Sequence, residues 1–121
     1  VATGVAWGLS GVPTTIDLTS TTTLTHGTNA RTLINERLCL WPGDQNFDGM
    51  IRYVGVGNDR DPILQAIGGS TPTNVVSGVY SLRDVNMDGS IRYVGAGNDR
   101  DPILQTVGGS VPTAVRSQQL P

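Results

Sequence analysis

Apolar and polar positions follow two different regimes along the chain. Val1 to Trp7 is small and apolar, broken by Gly8, Gly11 and Pro13. From Thr14 to Thr25, Ile16, Leu18 and Leu24 are interleaved with threonine and serine, the alternation of a half-buried strand. His26-Gly27-Thr28-Asn29 reads as a turn. Arg31 to Leu40 alternates weakly through Leu33, Ile34, Leu38 and Leu40, which favours strand over short helix. Beyond Trp41 the pattern changes. A polar loop leads into a strand-like run, Ile51-Arg52-Tyr53-Val54, and then a connector, Gly55-Val56-Gly57. Asn58-Asp59-Arg60-Asp61-Pro62 opens a helix over Ile63 to Ile67, which Gly68-Gly69 ends. Either Asn58 caps it with Asp61 three residues on, or Asp61 caps it with Pro62 at the first helical position.

The second regime occurs twice. Asp44 recurs as Asp84, forty residues on, and about three-quarters of the positions from Asp44 onward match their partners. Two domains are therefore expected: an N-terminal β-rich segment at residues 1–40 and a duplicated domain at 41–121, with copies 41–78 and 79–118. The expected fold class is α+β and loop-rich, an N-terminal β-segment followed by two tandem loop–helix repeats.

Composition narrows the chemistry. Aromatic residues make up 5% and charged residues 15%, so stability is expected to lean on something besides a large core. A net charge of −2 argues against a nucleic-acid binder. No apolar run is long enough for a membrane helix. Cys39 is the single cysteine, set between Leu38 and Leu40, and is expected to be buried. The chain opens on Val1, consistent with a removed leader or with a piece of something longer. His26 is the lone histidine, and no Ser-His-Asp or Cys-His set can be assembled, so a non-enzyme is expected. Trp7, Trp41, Tyr53 and Tyr93 could stack on sugars, though filling a small core is the commoner use, and carbohydrate binding has no support of its own.

The acidic residues carry the strongest signal. Only Asp17 and Glu36 lie outside the repeats; Asp44, Asp48, Asp59, Asp61 and their counterparts Asp84, Asp88, Asp99 and Asp101 lie inside. Asp44-Gln45-Asn46-Phe47-Asp48-Gly49 and Asp84-Val85-Asn86-Met87-Asp88-Gly89 place oxygen-bearing side chains at alternate positions before a glycine. A hard cation takes six to eight oxygens, and this pattern supplies the first half of such a shell. The candidate ligands are Asp44, Asn46, Asp48 and the Met50 carbonyl, and Asp84, Asn86, Asp88 and the Ser90 carbonyl. Calcium suits them better than magnesium, and the lack of His and Cys ligands disfavours zinc. Arg60 and Arg100 are read as balancing the carboxylates around them.

These loops resemble the dockerin-type calcium repeat, a shortened EF-hand of pattern D-x-N-x-D-G-x-[IV] running into one helix, found duplicated toward the C-termini of many secreted Bacteroidetes proteins. The match covers roughly residues 44–110. A dockerin supplies a closing acid at its twelfth loop position, but Gly55 and Gly95 stand there. The acid is then expected from Asp59 or Asp61, and from Asp99 or Asp101. The resemblance implies two structural Ca²⁺ sites in a secreted or cell-surface protein. The expected role is extracellular assembly or adhesion, as a filament, surface-layer or adhesin subunit. The expected partner is the chain itself or another extracellular protein; docking to a cohesin-like receptor, or service as the non-catalytic part of a secreted hydrolase, are the alternatives.

Overall fold

The computed structural model describes residues 3–4 and 11–117; the apolar opening from Val1 to Trp7 lies mostly outside them. The chain divides into two compact units, one running to Trp41 and the other spanning Pro42–Ser117.

In the first unit the weak alternation of Arg31 to Leu40 is a hairpin. Strand β1 (Thr32–Ile34) pairs antiparallel with β2 (Arg37–Cys39), so that Leu33 faces Leu38. Asn35 and Glu36 both take positive φ, 47° and 64°, the two-residue turn that matches the twist of adjoining strands. The strand expected over Thr14 to Thr25 is absent. The stretch is a succession of turns, with one isolated bridge between Thr25 and Thr3. Its own side chains offer the backbone a local alternative to a sheet. Asp17 Oδ1 accepts from the amide and hydroxyl of Thr19, and Thr23 Oγ1 donates to the Asp17 carbonyl. Arg31 then gathers the turns, donating to the carbonyls of Leu18, Ser20 and Thr23. Cys39 is half-buried rather than buried, and its thiol donates to the Arg37 carbonyl.

The second unit corrects the expected fold class. Each copy is strand–helix–strand, not loop–helix, and among the described residues strands outnumber helices. Copy one contributes β3 (Met50–Arg52), α1 (Asp61–Ala66) and β4 (Val75–Ser77). Copy two contributes β5 (Ser90–Arg92), α2 (Arg100–Thr106) and β6 (Val115–Ser117). Both helices are short because Gly-Gly stops them. Gly69 and Gly109, at φ of 78° and 77°, donate to the carbonyls of Leu64 and Leu104 at 2.9 and 2.8 Å. The strands pair across copies, β3 with β6 and β4 with β5, both antiparallel. Helix α1 packs on β5, and α2 on β3. The core between them is built of Ile51, Ile63, Ile67, Ile91, Ile103 and Val107.

Candidate metal loops

Each Asp-Asn-Asp-Gly stretch is a tight loop running into the first strand of its copy. Phe47 and Met87, the residues between the asparagine and the second aspartate, adopt φ of 62° and 61°, and their side chains stand out into solvent. The loop's polar side chains turn back onto its own amides. Asn46 Oδ1 accepts from the Asp48 amide at 2.9 Å, Asp48 Oδ1 from Met50 at 2.8 Å, and Asp44 Oδ2 from Gly49 at 3.1 Å. Copy two repeats these bonds through Asn86, Asp88 and Asp84, with Asp84 Oδ1 also taking the Asp88 amide. Asn46 Nδ2 donates to the Gly57 carbonyl at 2.8 Å, as Asn86 does to Gly97. One partner of each asparagine is a donor and the other an acceptor, which fixes the orientation of the amide. The Gly-x-Gly connector is thereby tied across the loop.

Asp59 and Asp99 do something the sequence did not reveal. Neither side chain is exposed at all. Asp59 Oδ1 accepts from Gln45 and Asn46 and Oδ2 from Arg52, so one carboxylate ties the start of the loop to the strand that follows it. Asp99 makes the same bonds to Val85, Asn86 and Arg92. Burial raises the pKa of both above the usual aspartate value; the amide donors oppose the rise, and Asp44 and Asp84 add to it by charge repulsion. Asp61 and Asp101 stand at the helix starts, exposed, each accepting from the side-chain amide of Asn58 or Asn98 at 3.0 Å. Asn58 Oδ1 in turn receives the amides of Arg60 and Asp61, both at 3.1 Å, so this asparagine organises the helix opening although the regular helix begins at Asp61.

Arg52 and Arg92, rather than Arg60 and Arg100, make the ion pairs found among the described residues. Their guanidinium groups lie 2.7 Å from Asp48 and Asp88. The pKa of the exposed Asp48 is lowered first by the Met50 amide and then by Arg52. Arg60 and Arg100 instead stack over Tyr53 and Tyr93, 4.6 and 4.4 Å from the ring centroids, which covers one face of each tyrosine. His26 is exposed in its turn.

The donor set fits a hard cation in type, being carboxylate and amide oxygen throughout, but supplies only part of a shell. The residues brought together on each loop are Asp44, Asn46 and Asp48, followed by Met50, and their counterparts Asp84, Asn86, Asp88 and Ser90. Asp59 and Asp99 are engaged with backbone amides, and Asp61 and Asp101 with Asn58 and Asn98. Among the described residues no three His, Cys, Asp or Glu side chains form a metal-holding group. No helix there is long and apolar enough to cross a membrane. In comparison with known protein families, curated proteins and solved structures, the chain matches none.

Proposed function

We propose that residues 42–117 form a non-enzymatic structural module of an exported protein, serving extracellular assembly or adhesion, in which each Asp-Asn-Asp-Gly loop takes up a calcium ion. The observation that supports the calcium reading is the closely matched bracing of the three oxygen-bearing side chains in both loops, although their neighbours differ: Gln45 against Val85, Phe47 against Met87, Met50 against Ser90. Asp44, Asn46, Asp48 and the Met50 carbonyl would hold one ion, and Asp84, Asn86, Asp88 and the Ser90 carbonyl the other. The ion supplies charge neutralisation to carboxylates crowded on one loop. Four protein oxygens leave much of a calcium shell to water, which places these sites in the weak class of extracellular modules, with Kd on the order of 10⁻³ M.

Binding to the folded state alone raises stability by about 1.4 kcal/mol per site at tenfold excess over Kd. Thermal unfolding is therefore expected to move upward in about 10 mM CaCl₂ relative to chelator, and less in magnesium. An unchanged melting temperature, with no heat in a calcium titration, overturns the reading.

The Arg52–Asp48 contact favours a second reading, in which the guanidinium is the loop's own cation and no metal is needed. Arg52→Gln separates the two. Calcium affinity rises in this variant if the ion and the arginine compete for Asp48. Stability falls, with no response to calcium, if the arginine acts alone.

A further inference from the structure

The two sheets of the duplicated unit are one joint made twice. Val75, Val76 and Ser77 face Arg92, Ile91 and Ser90; Val115, Arg116 and Ser117 face Arg52, Ile51 and Met50. Each residue of β6 lies forty after its counterpart in β4, and each of β5 forty after its counterpart in β3, so the registers coincide position by position. The helices obey the same rule, α1 on β5 and α2 on β3. All of these principal contacts run from one copy to the other. Two further ties do so as well: Thr106 Oγ1 donates to the Pro42 carbonyl at 2.9 Å, and Arg83 donates to the Gln45 carbonyl. A copy buries its isoleucines against its counterpart, and nothing in the joint depends on both belonging to one chain.

What keeps the pairing within a chain is the connection from Gly78 to Arg83. Its ends are held, by the Gly89 carbonyl and by Arg83 on Gln45, but its middle is loosely seated. Tyr80 is fully exposed and Leu82 largely so, and beside them opens a mostly apolar cavity of about 400 Å³, lined in part by Pro42, Gly43, Val79 and Val85. Gly78, at φ of 70°, begins the segment, and its amide and that of Val79 share the Gly89 carbonyl. Six residues drawn out span about 20 Å, so the connection can pass from hugging its own module to bridging two.

We propose that this chain exchanges copies with a second molecule of itself. Copy one of one molecule accepts copy two of the other through the same β3–β6 and β4–β5 pairings, giving a reciprocal dimer, or a run of molecules where the exchange is not returned. Because the joints are identical in the closed and exchanged forms, the balance rests on the connection and on concentration. A short tether corresponds to an effective concentration in the millimolar range, so exchange is expected when chains fold together at comparable density. It does not depend on whether the loops hold calcium.

The test uses the full chain in a Cys39→Ser background, with Met50→Cys in one preparation and Ser117→Cys in another. These positions face each other across β3 and β6, where opposed Cβ atoms are about 4.5–5.5 Å apart. The two preparations are unfolded together, refolded at about millimolar protein and oxidised. The expected result is a disulfide-linked heterodimer on a non-reducing gel, in at least tenfold excess over the same chains folded separately and then mixed. Absence of the heterodimer, while a single chain carrying both cysteines closes its own disulfide, overturns the proposal. If that double variant leaves its thiols free, the β3–β6 joint is not as described and the proposal falls with it.

Discussion

The two copies match in their loop bonds and in the register of the strands they exchange, and differ in several side-chain bonds, some reaching into the other copy and some at the helix ends. Asn46 and Asn86, Asp59 and Asp99, and Asn58 and Asn98 make matching bonds within their own copies. By contrast, Gln45 accepts from Arg83 of copy two through its carbonyl and side chain, where copy one has Gly43 in place of that arginine. Thr106 reaches the Pro42 carbonyl, while its counterpart Ala66 is exposed and has no hydroxyl to offer. The end of each helix is also finished differently: Asn74 donates to the Ile67 carbonyl in copy one, and Arg116 to the Thr106 carbonyl in copy two. Shared positions thus define the unit, and diverged ones make the pairing of the two units unequal.

The comparison is broken most forcefully in the core. Ile63 and Ile103 are both completely buried, and truncation of either to alanine is expected to lower stability by about 2–5 kcal/mol. If the copies share one core, both variants shift a single urea transition by similar amounts; two separate transitions would show the copies to be independent. Next come the buried carboxylates. Asp59→Ala and Asp99→Ala each strand amides that the carboxylate had satisfied, a loss of about 3 kcal/mol in calcium-free buffer, with asparagine recovering part of it. Unequal losses would mean that one loop is held by something its twin lacks. Thr106→Val sharpens the asymmetry: it removes the bond to Pro42 at about 1 kcal/mol, whereas Ala66→Thr at the exposed counterpart stays within about 0.5 kcal/mol.

The smallest effect is a pH dependence. Burial keeps Asp59 and Asp99 protonated to higher pH in the folded state than in the unfolded chain. The stability this confers is complete below about pH 3.9, the unfolded value, and is lost as pH rises through the raised pKa. Melting curves of the Asp59→Asn, Asp99→Asn double variant in calcium-free buffer should lack that component of the pH slope.

Much of the unit is legible in the sequence because its chemistry is local. Asp, Asn and Asp at alternate positions with Gly directly after them specify the loops, and Gly68-Gly69 specifies where a helix must stop. The strands β4 and β6 leave almost no trace, since three residues show no period and their partners lie in the other copy. The Thr14 to Thr25 stretch misleads for the opposite reason. Its apolar spacing is that of a strand, but Asp17, Ser20 and Thr23 satisfy the backbone on the spot. Nor does spacing disclose the part played by Asp59. An aspartate fifteen residues after the first ligand position is equally compatible with an ion and with three amides, and only the backbone path decides which oxygens remain to be shared.

The return of the last strand, β6, to the first strand of the duplicated unit, β3, carries a consequence for how such proteins can grow. Parity is built in. A third copy would arrive with two strand edges and an isoleucine-bearing helix but no counterpart in its own chain to receive them, whereas a fourth would complete another closed set. Closure within one chain is therefore expected only for an even number of copies.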